Sequence, residues 1–576
     1  MAYKAPVSEV EFWLNQVLGV DALALSERFA EASGDMRHAI LSEGGRLCEE
    51  VLAPLQRAGD LEGARLENGV VRTSPGFAQG YRAIAEGGWI GIAAPSEFGG
   101  MGLPQTLSVA MNEMMSGACL ALALNPLMSQ GQIEALHHHA SDEMKAVYLP
   151  KLIAGEWSGT MNLTEPQAGS DVGALSTKAA PNGDGSYSVS GQKIFISWGD
   201  SNFAANICHL VLARLPDAAA GTKGISLFLV PKFLPDSAGN PGVANSLKVV
   251  SLEHKLGIHG SPTAVMEFDG ATGWLVGEEN AGMKTMFTMM NNARLGVGAE
   301  GLGVAEAAFQ QALTFAGERK QGRALIKDGT GSILDHADVR RMLMTMKAQT
   351  SAARAIIYAT AIAGDLAVAN GDAKMAARAA FLTPIAKAFG TETGNEVAYL
   401  GVQVHGGMGF IEETGAAQFS RDVRVTAIYE GTNGIQSMDL VARKLMDGGV
   451  AAKALLTDIR ATADAGQDAY GDLSALLNEA AEAVGAATDW MLAQGDLNDR
   501  FAGSVAYLRA FALVLGGHFL LKAAMVAKDD PAQDRARAAL ARFFIRRQLG
   551  AVAGLCAEAT EGQADLYALS PEQLAS

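Results

Sequence analysis

The pattern of apolar residues changes twice along the chain. From about residue 8 to 157, apolar positions recur at spacings of three and four, as in SERFAEASGDMRHAILSEGGRLCEEVLAPL, which predicts amphipathic helices. Between about 158 and 275, short runs rich in β-branched and aromatic residues alternate with turns such as PNGDG, which predicts an antiparallel sheet or a small barrel. From Glu278 the helical period returns in long segments with short links, which predicts a helical bundle.

A fourth, alanine-rich helical segment follows the DGG sequence at 447–449. At 576 residues the chain exceeds the size at which a single core stops growing, so several domains are expected. The predicted fold class is α+β multidomain, with a barrel-like antiparallel middle domain and a four-helix bundle. The predicted parts are an N-terminal α domain (1–157), a middle β domain (158–278), a C-terminal α bundle (279–447) and an extra α-helical domain (448–576).

Composition and charge narrow the class of partner. The chain is 49% hydrophobic and 19% charged, with a formal net charge of −17. A strongly negative surface repels phosphate backbones and anionic lipid, so neither a nucleic acid nor a membrane is expected as a partner. The opening MAYKAPVSEVEFWLNQVLG lacks the basic and apolar regions of a signal peptide, and no stretch reaches 18 uncharged apolar residues, so we expect a cytoplasmic protein.

The cysteines and histidines do not predict a metal site. Cys48, Cys119, Cys208 and Cys556 lie far apart and form no CxxC pair, so they are interpreted as reduced packing residues. The HHH run at 137–139 lies on a predicted helix, where adjacent side chains point in different directions, and it has no carboxylate or cysteine to complete a ligand set.

One glycine motif imitates a nucleotide fingerprint. The sequence GVGAEG at 296–301 matches GxGxxG, but it lies inside a helical pattern and not between a strand and a helix. Small residues that permit close helix packing explain it better than nucleotide binding does.

Four other stretches are candidates for binding or chemistry: MNLTEPQAGSD (161–171), ERKQGR (318–323), GVQVHGGMGF (401–410) and AIYEGTNGIQ (427–436). Glycines and hydroxyls in the first stretch could hold a planar heterocycle or a phosphate. In the last stretch a carboxylate, Glu430, stands directly before a glycine-rich turn. Taken singly, each stretch also has an ordinary explanation: a structural turn, a solvated basic face, a helix stop or a surface glutamate.

In this order, MNLTEPQAGSD, QKIFIS, ERKQGR, VHGGMGF and IYEGTNGIQ resemble the acyl-CoA dehydrogenase family of flavoproteins. The resemblance covers roughly residues 40 to 445. It rests on the five spaced motifs and on the predicted order of a helical, a β and a second helical segment. It implies FAD as the cofactor, an acyl-CoA thioester as the substrate and α,β-dehydrogenation as the reaction.

The resemblance assigns two sets of binding residues. Those implied to contact FAD are Met161, Asn162, Leu163, Thr164, Gly169, Ser170, Phe195, Ile196, Ser197, Arg319, Gln403, Gly407, Thr432 and Asn433. Those implied to contact the acyl-CoA are Ser170, Asn291, Arg294, Tyr429 and Gly431. Phe195 departs from the tryptophan common at its position but should still cover a ring face. Arg319, Gln403 and Gly407 would meet the FAD of a neighbouring subunit, which implies at least a dimer.

Glu430 matches the position of the catalytic base in most of the family. Other branches place the base on the helix that carries Arg294, but here that segment reads MMNNARLG and holds no acid from Met289 to Gly296. A carboxylate serves as such a base if burial raises its pKa toward neutrality. The resemblance implies that the flavin accepts the β hydride and that the backbone N–H of Glu430 polarises the thioester carbonyl. Tyr429 is expected either to wall the acyl pocket or to pack in the bundle.

The segment beyond residue 450 and the opening of the chain resemble the large members of the family, which implies a homodimer with an electron-transfer flavoprotein as electron acceptor. An alternative to this large-member branch is a general short- or medium-chain acyl-CoA dehydrogenase. So is a DNA-binding adaptive-response flavoprotein, although residues 451–576 contain only 11 Lys plus Arg against 16 Asp plus Glu. RFFIRRQLG at 542–550 is a local basic patch, and phosphate binding would need a larger surplus.

Overall fold

The computed structural model describes residues 3–526 and 531–576. Within these ranges the chain forms two compact units. One unit consists of Tyr3–Leu41 together with Val297–Ser576, and the other consists of Ser42–Gly296.

The first part of the chain is helical, as predicted. Its helices are α1 (Val7–Glu11), α2 (Asp21–Ala24), α3 (Gly34–Leu47), α4 (Ala53–Leu61), α5 (Phe77–Glu86), α6 (Gln105–His139) and α7 (Asp142–Ile153), and a small hairpin joins β1 (Arg65–Glu67) to β2 (Val70–Arg72). Helix α6 is buried over almost its whole length, which explains why its apolar residues show no single face. It is kinked at Cys119, whose φ of −158° and ψ of 88° are not helical.

The middle of the chain is a closed sheet. Its strands are β3 (Trp157–Asn162), β4 (Lys178–Pro181), β5 (Tyr187–Ser197), β6 (Asn206–Arg214), β7 (Ile225–Pro231), β10 (Leu247–Leu252) and β11 (Thr263–Leu275); a separate hairpin pairs β8 (Phe233–Pro235) with β9 (Pro241–Ala244). Strand β7 pairs with both β6 and β11, while β4 and β5 connect the same two strands on the other side, so the ring closes as a barrel.

Not every pair in this sheet is antiparallel. Strand β3 runs parallel to β6, from Trp157 opposite Asn206 to Asn162 opposite Val211. The chain passes through β4 and β5 between these two strands, so no hairpin dictates antiparallel pairing. Alternate residues of the strands fill the barrel core, among them Val189, Ile196 and Phe228.

The helical bundle has three long members and two short ones. They are α8 (Gly282–Glu318), α9 (Ala337–Asn370), α10 (Ala373–His405), α11 (Ala416–Val423) and α12 (Asn433–Asp439). The GVGAEG segment lies inside α8, and two of its glycines, Gly298 and Gly301, face Gly390 and Gly394 of α10. A Cβ on Gly301 would lie 2.5 Å from the carbonyl oxygen of Gly390, and one on Gly390 would lie 2.6 Å from that of Gly298. The close-packing interpretation of this motif is therefore confirmed.

After the DGG turn, the described residues up to 526 and from 531 onward form seven further helices: α13 (Val450–Ala465), α14 (Gln467–Ala493), α15 (Leu497–Ala502), α16 (Ser504–Val526), α17 (Pro531–Arg547), α18 (Ala551–Ala559) and α19 (Pro571–Leu574). Gly448 and Gly449 both have φ near +76°, and the Asp447 carboxylate accepts hydrogen bonds from the amide of Gly449 and from the first two amides of α13. Helix α16 is buried almost throughout, and it packs against α9, α10 and α12 of the bundle.

Within the part of the chain that the structure describes, three helices are long and apolar enough, by length and composition, to cross a membrane: α6, α9 and α16. In the structure 100%, 67% and 89% of their apolar windows, respectively, are buried inside the protein. All four cysteines are buried, and none forms a disulfide, in agreement with their interpretation as packing residues. Among the described residues, no group of three or more His, Cys, Asp or Glu side chains is arranged to hold a metal ion.

Candidate active site

The backbone of Glu430 is strained. Its φ is +56°, a left-handed conformation that costs a non-glycine residue about 1 kcal/mol or more, and Gly431 follows with φ of +80°. Two side chains hold this turn: Gln436 Nε2 donates to the carbonyl oxygens of Glu430 (3.1 Å) and Gly431 (3.2 Å), and Lys387 Nζ donates to that of Gly431 (3.0 Å). A Cβ on Gly431 would lie 2.8 Å from Gln436 Nε2, so the turn itself requires glycine there.

The residues after this turn begin a short helix beside a groove. The Thr432 hydroxyl caps α12 by accepting from the amide of Ile435 (3.2 Å), and Asn433 Oδ1 accepts from Lys387 Nζ (3.0 Å). The groove has a volume of about 690 Å³. It is lined by Glu392, Asn395, Glu396, Tyr399, Arg424, Ala427, Ile428, Thr432, Asn433 and Gly434.

A second buried acid lies close to Glu430. Glu300 of α8 is 1% exposed, and its Oε2 accepts a hydrogen bond from the Tyr429 hydroxyl (2.5 Å). Burial raises the pKa of Glu300 to about 8, and the negative charge of Glu430 adds to that rise, while the Tyr429 hydroxyl and Lys387 oppose it. Burial, together with Glu300 and Glu430, also holds the pKa of Tyr429 well above its usual value.

Tyr429 therefore has one end fixed inside the bundle, as the packing alternative requires. Its contact with an acyl chain stays a prediction.

In the other unit, a buried ion pair fastens two of the sequence motifs together. Lys193 is fully buried, and its ammonium donates to Glu165 Oε1 (2.8 Å) and to the Leu163 carbonyl (3.0 Å). The Ile194 amide donates to the Thr164 carbonyl (2.9 Å), which joins the end of β5 to the MNLTEPQAGSD segment. The Glu165 carboxylate also accepts from the amides and hydroxyls of Ser176 and Thr177.

The predicted aromatic triplet ends β5 with its phenyl ring outward. Phe195 is 58% exposed and has φ of +61°, an unusual conformation for an aromatic residue. Ile196 is 2% exposed and belongs to the barrel core, so only its backbone is available to a ligand. Ser197 is half-buried.

The remaining predicted residues differ in exposure. Met161 and Thr164 are half-buried, Asn162 and Leu163 are buried, and Gly169 and Ser170 are exposed. On α8, Asn291 is exposed whereas Arg294 is 4% exposed, with its guanidinium 5.9 Å from the centre of the Phe287 ring. Arg319, Gln403 and Gly407 are all exposed.

Comparisons with known proteins match nearly the whole chain. Profiles of the acyl-CoA dehydrogenase N-terminal, middle and C-terminal domains match residues 37–156, 160–271 and 280–446. A profile described as acetyl-CoA dehydrogenase C-terminal like matches residues 455–570. The chain belongs to the acyl-CoA dehydrogenase family.

This acyl-CoA dehydrogenase is 46% identical to the 3-methylmercaptopropionyl-CoA dehydrogenase of Ruegeria pomeroyi, with 92% of each chain covered. It is 32% identical to a butyryl-CoA dehydrogenase of Syntrophomonas wolfei, with 96% of each chain covered. Its fold matches the crystal structure of an acyl-CoA dehydrogenase complexed with FAD from Bacillus anthracis with a TM-score of 0.75 at 22% identity, over 97% of this chain and 92% of the other.

Acyl-CoA dehydrogenases are oxidoreductases and FAD flavoproteins, and the residues of this acyl-CoA dehydrogenase fit FAD. Phe195 presents an exposed aromatic ring at the end of β5, which suits a planar heterocycle. Asn162 Oδ1, at the end of β3, is buried and has no hydrogen-bond partner among the described residues, so it can accept from a bound group. At the exposed glycines Gly169 and Gly407 no atom lies within 4 Å of the point where a Cβ would stand, so the backbone there is open to a ligand.

The sequence motifs gave no role to three polar residues around the turn of Glu430 and Gly431, which we call the base turn: Glu300, Lys387 and Gln436. Glu300 stands inside GVGAEG, a motif that was interpreted through its glycines alone. Lys387 is fully buried in α10, and a lone lysine in the apolar segment PIAKAFG was a usable signal, because a buried lysine almost always has partners. Gln436 lies within the quoted AIYEGTNGIQ stretch but received no role.

Proposed function

We propose that this acyl-CoA dehydrogenase converts an acyl-CoA thioester to the 2,3-enoyl-CoA, with Glu430 taking the α proton. The observation that carries this proposal is the strained turn at Glu430, which side-chain hydrogen bonds hold in place. Strained backbone persists only where the surrounding structure stabilises it, and such residues cluster at active sites. The backbone N–H of Glu430 donates to the thioester carbonyl, where negative charge develops as the proton leaves. Bound FAD would supply the acceptor for the β hydride and a hydroxyl donor to the same carbonyl.

The neighbours of Glu430 support its role as a base. Gln436 donates to the carbonyls of Glu430 and Gly431, and Lys387 donates to that of Gly431. The carboxylate of Glu430 therefore extends from a rigid backbone. The Glu430 side chain is only half-buried, which leaves it accessible to a substrate. A pre-positioned base avoids the reorganisation that would otherwise slow proton transfer.

We propose 3-methylmercaptopropionyl-CoA as the substrate, which would give methylthioacryloyl-CoA as in the demethylation pathway of dimethylsulfoniopropionate. This substrate is supported by the 46% identity, over 92% of both chains, to the 3-methylmercaptopropionyl-CoA dehydrogenase of Ruegeria pomeroyi. A general short- or medium-chain activity is the alternative, and it is supported by the 32% identity to a butyryl-CoA dehydrogenase.

The remaining parts of the proposal concern partners and location. We propose an electron-transfer flavoprotein as the electron acceptor, a homodimer as the assembly and the cytoplasm as the location. Arg319, Gln403 and Gly407, all exposed, would contact the FAD of the second subunit. Light scattering should give twice the chain mass of 60.0 kDa, and a tetramer would contradict the dimer.

The substrate is tested by flavin bleaching. The purified protein, loaded with FAD, should be yellow and should lose its colour on anaerobic addition of the correct acyl-CoA. Methylmercaptopropionyl-, butyryl-, octanoyl- and palmitoyl-CoA are compared by their bleaching rates, and we expect the first to be fastest. A protein that cannot take up FAD would contradict the enzyme proposal, while faster bleaching by butyryl-CoA would favour the alternative substrate.

The base is tested by Glu430→Gln. This variant should keep its yellow colour and its melting temperature. Its bleaching rate should fall by a factor of about 10² or more, because proton abstraction by a positioned base contributes about 10²- to 10⁴-fold to such rates. Glu413→Gln, which changes an exposed glutamate of the same unit, is the matched control and should bleach like the wild type. Turnover retained by the Glu430 variant would show that another group is the base.

A further inference from the structure

Glu300 is a buried acid to which the proposed reaction gives no role. It is 1% exposed, and one carboxyl oxygen, Oε2, accepts a hydrogen bond from the Tyr429 hydroxyl. The other oxygen, Oε1, is buried and has no hydrogen-bond partner among the described residues. An ionised carboxylate has about four acceptor sites, so this environment satisfies it poorly and favours the neutral acid.

Helices α8 and α10 pack closely through glycines next to Glu300 in the sequence. A Cβ on Gly301, the next residue, would lie 2.5 Å from the Gly390 carbonyl, and one on Gly394 would lie 2.6 Å from the Gly301 carbonyl. The two helix backbones therefore approach closely at the level of Glu300, and the Glu300 side chain is itself 1% exposed.

Among the described residues, three titratable groups act on Glu300: Tyr429 and Glu430 of the turn, and Lys387 of α10. The Lys387 ammonium donates to the Gly431 carbonyl and to Asn433. Other charged groups on the packed helices pair with each other: Glu306 of α8 with Arg354 of α9 at 2.8 Å, and Glu392 of α10 with Arg509 of α16 at 3.0 Å. Glu300 and Glu430 are thus two carboxyl groups that interact electrostatically, and Tyr429, the residue before Glu430, donates its hydrogen bond to Glu300.

A buried carboxyl group beside a second carboxylate resists being ionised together with it, because burial and the like charge both disfavour its charged form. We propose that Glu300 is a positioning residue for the base: it stays neutral, so that Glu430 carries the single negative charge of the two carboxyl groups, and its hydrogen bond holds Tyr429 beside that base. The inference rests on the proposed function of Glu430.

The pairing predicts an alkaline limit to the reaction. Burial raises the pKa of Glu300 to about 8, so the side chain loses its proton above that pH. The new charge then opposes negative charge on Glu430 and on the substrate carbonyl, and the rate falls. Since the Tyr429 hydrogen bond lowers the pKa of Glu300, removing that bond should move the fall to higher pH.

The first test is the pH profile of bleaching with the FAD-loaded enzyme. In the wild type we expect the rate at pH 9 to be about tenfold below its neutral plateau, whereas Glu300→Gln should fall less than about twofold. Tyr429→Phe should shift the alkaline fall upward, relative to its own plateau. Glu479→Gln, an exposed substitution on α14, is the control and should follow the wild type. An unchanged alkaline fall in the Glu300 variant would overturn the inference, and so would an unchanged or lowered fall in the Tyr429 variant.

The second test needs no turnover. The pKa of Glu300 is higher in the folded than in the unfolded protein, so the wild type loses stability as the pH rises from about 4.5 to about 8. The Tm of Glu300→Gln, measured without acyl-CoA, should therefore gain on that of the wild type across this window. Parallel Tm curves would overturn the inference. If no acyl-CoA bleaches the protein, the proposed function fails, and this Tm comparison still decides the charge state of Glu300.

Discussion

Two buried glutamates, one in each unit, have opposite electrostatic surroundings. Glu165 accepts hydrogen bonds from the Lys193 ammonium and from Ser176 and Thr177, and these donors hold the pKa of Glu165 well below its usual range. Glu300 has one hydroxyl donor and a second carboxylate nearby, and burial raises the pKa of Glu300 to about 8. Burial alone thus does not determine the charge of an acid; the number of donors and the sign of the nearest charge do.

The two glutamates should respond to pH in opposite directions. Because the folded pKa of Glu165 is depressed, its contribution to stability is present above the unfolded value near 4.5 and is lost as the pH falls toward the folded pKa. The raised pKa of Glu300 has the reverse effect, so its contribution is lost as the pH rises through about 8. Glu165 therefore acts as a fixed structural anion, and Glu300 as a titratable group.

The largest effect on this comparison is expected from Lys193→Met. Removing the ammonium leaves the Glu165 charge buried without its cation, which should lower the free energy of unfolding by about 3–5 kcal/mol. Chemical denaturation measures the change. The control is Lys248→Met, which breaks an exposed pair with Glu267 and should destabilise the protein far less than Lys193→Met does. Equal losses in the two variants would contradict the special role of the buried pair.

An intermediate effect is expected from Gly301→Ala, which opens the region around Glu300. Its new Cβ would meet the backbone of Gly390 and Thr391, so α8 and α10 must separate, at a cost of about 1–3 kcal/mol. Water entering the gap should also lower the pKa of Glu300 and move the alkaline fall to lower pH. Gly364→Ala on α9 is the control, since nothing lies within 4 Å of its Cβ; it should be neutral or stabilise by up to about 1 kcal/mol.

The smallest effect is expected at an exposed acid. Asp472 accepts from Arg542 and Arg546, whose guanidinium groups hold the pKa of Asp472 at about 2. Because all three side chains are solvated, Asp472→Asn should leave the midpoint of chemical denaturation close to that of the wild type. A loss as large as that in the Lys193 variant would remove the contrast between buried and exposed acids.

The same residues bear on the DNA-binding alternative. The arginines of RFFIRRQLG are partly neutralised by Asp472, which reduces the charge available to phosphate groups. We expect no gel shift of duplex DNA by the wild type at any salt concentration. Tight, salt-sensitive binding would reverse this expectation.

Much of the fold could be predicted from local pattern. The spacing of apolar residues located the helical segments and the β segment, because each periodicity reflects which face of an element is buried. The parallel pairing of β3 with β6 and the closure of the barrel could not be predicted in this way, since both depend on strands far apart in the sequence. GVGAEG shows the same division: its helical context excluded a nucleotide loop, but only the structure identified the facing glycines Gly390 and Gly394.

By itself, the sequence determined the family, the order of its parts and Glu430 as the candidate base, because short motifs carry backbone requirements and chemistry in a fixed local order. Only the tertiary structure decided which charges meet. Lys193 with Glu165, and Glu300 with Tyr429, are separated by 28 and 129 positions, and a pKa depends on distances and burial that no local pattern encodes. The physical reason is that electrostatic interactions act through space, whereas periodicity and motifs act along the chain.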